Sequence, residues 1–261
     1  MHLHYESTGV GDPVVLLHGF ATDLHLWDDQ IPLLAPKYHV IRYDLRGFGR
    51  SAASAEPYSH AGDLKNLLDH LGLAHVVLVG LSLGGGVAIN FAIEHPDAVR
   101  GLVLVDSTLG GFAWSPSFTT DQAAIRRAAI DSGIEAARAR WLSLAIFGPA
   151  LENPKIADRV RAQVGGYSGW HWLNPDPGRP FTPPAIQRLA AITAPTLVVL
   201  GERDTPDFHA IASTLEHGIA GAKKVMIPGA GHIANVEAPE TFNEILLGFV
   251  SSLERKLETE K

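Results

Sequence analysis

The sequence predicts an α/β fold: a mostly parallel central sheet with helices on both faces and an inserted helical segment. Short apolar, β-branched runs recur along the 261 residues with helical patterns between them, as expected where parallel strands are joined by helical crossovers. This alternation stops near residue 110 and resumes near residue 190. One strand-like run passes through Gly80-Leu81-Ser82-Leu83-Gly84 straight into a helical pattern.

In chain order, strands are expected at His2 to Glu6, Val14 to Leu17, His39 to Tyr43, His75 to Val79, Leu102 to Val105, Thr196 to Leu200 and Lys224 to Ile227, the first as an antiparallel edge. Leu64, Leu67, Leu68 and Leu71 fall on one helical face, as do Phe242, Leu246, Phe249, Val250 and Leu253. Pro239 sits where a first helical turn accepts proline. Between Gly110 and Leu189 no buried strand is evident. Asp121 to Leu144 has a helical pattern, whereas SPSF and NPDPGRPFTPP read as turns. Four of the five tryptophans fall here, Trp114, Trp141, Trp170 and Trp172, an aromatic content too high for a linker. Residues 1–109 and 190–261 are therefore expected to form the core, and 110–189 a helical lid. The charged tail, Glu254 to Lys261, reads as a solvated helix end.

Composition narrows the classes. The net charge is −7, with 21 basic and 28 acidic residues and no basic run, which argues against nucleic acid or an anionic membrane as partner. A small molecule is the expected partner, and the oligomeric state is not readable. The absence of cysteine excludes disulfides, thiolate metal sites and a thiol nucleophile. No apolar stretch approaches membrane-spanning length and no leader is apparent, so a cytoplasmic location is the default expectation.

The chemistry centres on Ser82. A serine hydroxyl is a weak nucleophile until a base removes its proton, and that base needs a third group to fix its tautomer. Strand before and helix after GLSLG place Ser82 at the apex of a tight turn, with small residues at Gly80 and Gly84 leaving room for it. Two later strands run into TLVVLG-Glu202-Arg203-Asp204 and KVMIPGAG-His232, supplying an acid and a histidine at carboxyl ends of strands, where functional groups of such sheets collect. Asp207, just beyond Asp204, and Asp106, which ends the strand LVLV, remain alternative acids.

With the HGF turn at His18 to Phe20 and Asp44-LRGFGRS, these residues make nearly the whole chain resemble an α/β-hydrolase of the serine-nucleophile branch, similar to small bacterial carboxylesterases and 3-oxoadipate enol-lactonase-like hydrolases. The resemblance implies a triad of Ser82, Asp204 and His232, with the backbone amides of Phe20 and Leu83 as oxyanion hole and the Phe20 ring facing the acyl pocket. It implies a structural role for His18, and an Asp44–Arg46 pair pinning the loop that holds Gly47 and Gly49. Serine at position 82 argues against branches that use an aspartate nucleophile, the haloalkane dehalogenases and epoxide hydrolases. No phosphate loop or dinucleotide fingerprint appears, and His25, His60, His209 and His217 have no metal-ligand spacing, so neither metal nor organic cofactor is expected.

The expected activity is cleavage of a small carboxylic ester or lactone through an acyl-enzyme. C–C bond hydrolysis or cofactor-free perhydrolysis by the same triad is a second reading, and a non-catalytic ligand receptor a third. Candidate pocket residues are Trp141, Trp170, His171 and Trp172, and Arg138, Arg140 or Arg179 would recognise a carboxylate if turned inward.

Overall fold

The computed structural model describes residues 3–259. Seven strands form one sheet: β1 (Tyr5–Thr8), β2 (Asp12–Leu17), β3 (Tyr38–Tyr43), β4 (Val76–Leu81), β5 (Val99–Val105), β6 (Thr196–Gly201) and β7 (Lys223–Ile227). Their spatial order is β1-β3-β2-β4-β5-β6-β7, with only β1 antiparallel to its neighbour. Every residue of β4 and of β6 is buried, as an apolar strand covered on both faces must be. The covering helices include α1 (His60–Leu71), α2 (Leu83–Glu94), α6 (Pro206–Gly218) and α7 (Pro239–Thr259); the segment between β5 and β6 contributes α3 (Pro116–Ser132), α4 (Ile134–Leu142) and α5 (Pro154–Gly166) and no strand of the sheet.

Element ends differ from the sequence expectation for local reasons. The first strand starts at Tyr5 rather than His2: the Asp44 amide still donates to the His4 carbonyl at 2.9 Å, in register with the ladder, but the His4 amide goes to the Ser51 hydroxyl at 2.9 Å, and that hydroxyl occupies the Asp44 carbonyl at 2.6 Å. His2 itself lies outside the described residues. β4 starts one residue late, since the His75 side chain turns aside to the Asp97 carbonyl at 2.8 Å. SPSF is not a turn throughout: Ser115 caps α3 by accepting from the Phe118 amide, and Pro116 occupies the first helical turn, where its missing N–H has no cost. The helical run expected from 121 to 144 is two helices, broken at Gly133, whose φ of +86° ends α3. The expected tail helix runs to Thr259; Glu260 and Lys261 lie outside the described residues.

The β4–α2 turn has almost no spare space. A Cβ on Gly80 would sit 2.4 Å from the Gly84 carbonyl oxygen, and one on Gly84 would sit 2.3 Å from that of Leu17. Both obstacles are backbone, so no side chain can yield to relieve them. Gly84→Ala is therefore expected to cost about 2–3 kcal/mol in urea unfolding followed by circular dichroism, with the slope of the transition unchanged.

Candidate active site

Ser82 follows β4 with φ 52° and ψ −113°, a backbone conformation that a non-glycine residue holds only when its surroundings enforce it. Here they do. The Ser82 amide donates to the Val105 carbonyl at 2.9 Å, and the Ser82 carbonyl accepts from the Gly86 amide, the Thr108 amide and the Thr108 hydroxyl, each at 3.1 Å. The tip of β4 is thus tied both to its own helix and to the loop after the neighbouring strand.

His232 stands on the loop after β7. Glu237 holds that loop from both sides, accepting the Gly231 amide at 2.8 Å and the Ile233 amide at 3.1 Å. The His232 Nδ1 lies 2.8 Å from Asp204 Oδ2, and its Nε2 lies 3.0 Å from Ser82 Oγ. A carboxylate can only accept, so Nδ1 carries the proton and Nε2 is left to accept from the serine hydroxyl. All three side chains are buried. Asp106, Asp204 and His232 approach one another within 4.8 Å, but both nitrogens of the ring are already engaged in hydrogen bonds, which leaves no free lone pair for a metal ion.

The three candidate acids have separate partners. Asp204 faces the histidine and also accepts the Thr205 amide at 2.6 Å. Asp207 turns away to Ser115, accepting from its hydroxyl at 2.7 Å and so tethering the start of α3. Asp106 accepts the Gly201 amide at 2.8 Å.

The HGF turn is fixed from below. Buried His18 accepts the Leu45 amide on Nε2 at 2.9 Å and donates from Nδ1 to the Gly19 carbonyl at 2.7 Å. Burial pulls its pKa below the usual value, so it stays a neutral bridging ring and not a base. The expected Asp44–Arg46 pair does not form. Asp44 instead accepts two backbone amides, Leu24 at 2.9 Å and Arg50 at 2.8 Å, while Arg46 pairs with Asp63 on α1. A carboxylate beside a glycine-rich loop satisfies amides that have no other acceptor, and the guanidinium is left to find an acid elsewhere.

Ser82 and His232 open into a cavity of about 390 Å³. Phe20 and Leu83 line it, and their amides find no acceptor among the described residues. Its walls are largely apolar: Trp114, Phe118, Trp141, Phe147 and Phe208 among others. Of the four pocket candidates only Trp141 is in this wall. Trp172 packs behind it, 5.9 Å between ring centroids, and His171 stacks on Phe48 at 4.3 Å and lines a separate, adjoining cavity. Trp170 lies edge-on to His171 at 4.9 Å. None of the three arginines reaches this wall: Arg138 donates to the Tyr167 carbonyl and pairs with Glu135, Arg140 is 3.9 Å from Asp121, and Arg179 lines the adjoining cavities.

The model of the alpha/beta hydrolase fold matches residues 12–239. The chain belongs to the α/β-hydrolase family. Among curated proteins this hydrolase is 28% identical over 259 residues to a putative carbamate hydrolase RutD of Azorhizobium caulinodans, covering 97% of this chain and 96% of that one. It is also 28% identical over 251 residues to 3-oxoadipate enol-lactonase 2 of Acinetobacter baylyi, covering 92% and 90%. Among solved structures, an enzyme described as degrading N-acyl homoserine lactones superposes with a TM-score of 0.79 at 34% identity over 95% of this chain and 96% of that one. A thermophilic esterase from Thermogutta terrifontis superposes with a TM-score of 0.78 at 28% identity over 96% and 93%.

Sequence reasoning missed Phe208, whose ring lies 4.2 Å from that of His232 and 5.5 Å from that of Trp114. Its one signal was position: an aromatic four residues past Asp204, in the first turn of a helix that must start beside the site. It also missed Phe118, hidden in a stretch taken for a turn. In this α/β-hydrolase Asp44 ties the loop after β2 to the loop after β3 through the Leu24 and Arg50 amides. Asp44→Ala strands two amides, at about 1.5–3 kcal/mol per charged hydrogen bond, so a loss of about 3–6 kcal/mol is expected in denaturant melts. Asp44→Asn, which keeps one acceptor oxygen, is expected to lose roughly half as much.

Proposed function

We propose that this α/β-hydrolase cleaves a small carboxylic ester or lactone through a covalent acyl-enzyme. The observation that carries the reading is the unbroken chain Asp204–His232–Ser82, at 2.8 and 3.0 Å, opening into an apolar cavity. Names of similar proteins, an enol-lactonase, a lactone-degrading enzyme and an esterase, support the substrate class.

In this reading the substrate acyl group lies along the apolar wall and its carbonyl carbon meets Ser82 Oγ. His232 Nε2 takes the hydroxyl proton as the C–O bond forms, and Asp204 stabilises the resulting imidazolium. The carbonyl oxygen becomes an oxyanion facing the amides of Phe20 and Leu83, where two aligned donors in a water-poor pocket lower the barrier by several kcal/mol. Collapse of the intermediate expels the alcohol, which receives the proton from His232. Water, deprotonated by the same nitrogen, then attacks the ester on Ser82 and releases the acid. In a lactone the leaving alcohol stays joined to the acyl group through its carbon chain, so ring opening expels nothing and deacylation releases a single hydroxy acid.

The segment of residues 110–189 acts as the lid of the site, with Trp141 as its contact with the acyl chain. That Trp141 is a wall and not a polar contact suits a substrate whose acyl part is hydrocarbon.

Two measurements test this. Ser82→Ala is expected to lower kcat on p-nitrophenyl butyrate by at least about 10⁴-fold while the circular dichroism spectrum stays native; hydrolysis at the wild-type rate would end the proposal. Trp141→Ala is expected to shift the optimum of a p-nitrophenyl ester series toward longer acyl chains, and an unaltered profile would remove Trp141 from the acyl wall.

A further inference from the structure

One buried acid has no task in that mechanism. Asp106 directly follows β5 with φ 42°, a left-handed conformation, and is 2% exposed. Its amide donates to the Val199 carbonyl at 2.9 Å and its Oδ1 accepts the Gly201 amide at 2.8 Å, so both contacts lock it to β6. Its Oδ2 is buried and finds no donor. What stands beside it are the Asp204 carboxyl and the His232 ring, each with an atom within 4.8 Å of an Asp106 oxygen, and Glu237 is the further acid that bears on it. Asp204 has its own oxygens turned to the Thr205 amide and to His232, neither of which is a donor to Asp106.

Two buried carboxyl groups within 4.8 Å of each other, one with an oxygen that meets no donor among the described residues, are stable together when one keeps its proton. The local donors decide which. Asp204 has a donor on each oxygen, an amide and an imidazole N–H, whereas Asp106 has a single amide and a second oxygen still to be satisfied. Resting on the triad reading above, we propose that Asp106 is a protonated positioning residue that donates a hydrogen bond to Asp204 and holds the triad acid on His232. Burial first, and the Asp204 charge second, push the Asp106 carboxyl well above the ordinary carboxylate range, with Glu237 adding in the same direction.

An ionised Asp106 would make a different prediction, and pH separates the two. A negative charge beside the Asp204–His232 pair would stabilise the imidazolium, so removing it would drop the acidic limb of the kcat/KM profile to lower pH. A neutral Asp106 exerts no such pull. Asp106→Asn, which keeps the shape and a donor, is therefore expected to leave that limb within about 0.3 pH unit of wild type, and a larger fall overturns the proposal. Asp106→Leu, without a donor, is expected to lose about tenfold in kcat on p-nitrophenyl butyrate at steady KM, the scale of one hydrogen bond. Asp106→Asn is expected to recover most of that loss; equal losses in the two variants overturn the proposal.

A readout free of activity keeps this distinct from the proposed function. Infrared spectra of protein carrying ¹³C-labelled aspartate are expected to show a protonated-carboxyl band at pH 8 in the wild type and in Ser82→Ala, and none in Asp106→Asn. Absence of the band in the wild type, or its survival in Asp106→Asn, overturns the assignment whether or not the protein turns over esters.

Discussion

The carbonyl oxygen of Ser82 is the point on which the arrangement of this molecule turns. Three donors converge on it, one from the helix that follows and two from Thr108 beyond the adjacent strand. Together they hold a backbone conformation that an isolated chain would abandon, at a cost of order 1–3 kcal/mol offset by those bonds. Remove that anchor and the strand would run smoothly into the helix, with the serine side chain lost in the core. The glycines at 80 and 84 matter for the same reason: they let the helix and β2 press close enough for the donors to reach.

Parallel register does the rest. Because β4, β5, β6 and β7 all run the same way, their C-terminal ends share one rim, and each end delivers a different group: Ser82, Asp106, Asp204 and, one loop further, His232. The groups are far apart in sequence and adjacent in space with no element needed solely to bring them together. The same logic explains the supporting layer, where His18 from the end of β2 and Asp44 from the end of β3 brace the neighbouring loops.

The sheet was legible in the sequence because buried parallel strands are apolar on both faces and cannot be mistaken for loops; VVLVGL and TLVVLG leave no other reading. The strand edges were less so, since the His4 amide goes to the Ser51 hydroxyl and the His75 ring to the Asp97 carbonyl, single local contacts that no pattern announces. Pairing Ser82 with His232 followed from position after strands. The choice among Asp106, Asp204 and Asp207 did not, because three acids at similar sites differ only in which donors each meets. Arg46 shows the same limit: its nearness in sequence to Asp44 suggested a pair, yet Asp44 answers to backbone amides and Arg46 to Asp63. The segment from 110 to 189 was the hardest to read. Its helices bury few residues on their own, so their periodicity is faint, and distant partners hold them: Trp141 packs on Phe20, while Gln163 and Arg159 reach Asp23 and Asp29.

Phe20 gathers those contacts. Its ring packs against Phe48 from the core and against Trp141, Tyr167, His171 and Trp172 from the segment between β5 and β6, all with centroids 5.2 to 5.9 Å away. Trp141 belongs both to this cluster and to the wall of the cavity beside Ser82. The shape of the cavity and the packing of residues 110–189 on Phe20 therefore draw on the same indole. Trimming that ring would widen the cavity and loosen the packing at one stroke, whereas Phe118 and Ile146 line the cavity and take no part in the Phe20 cluster.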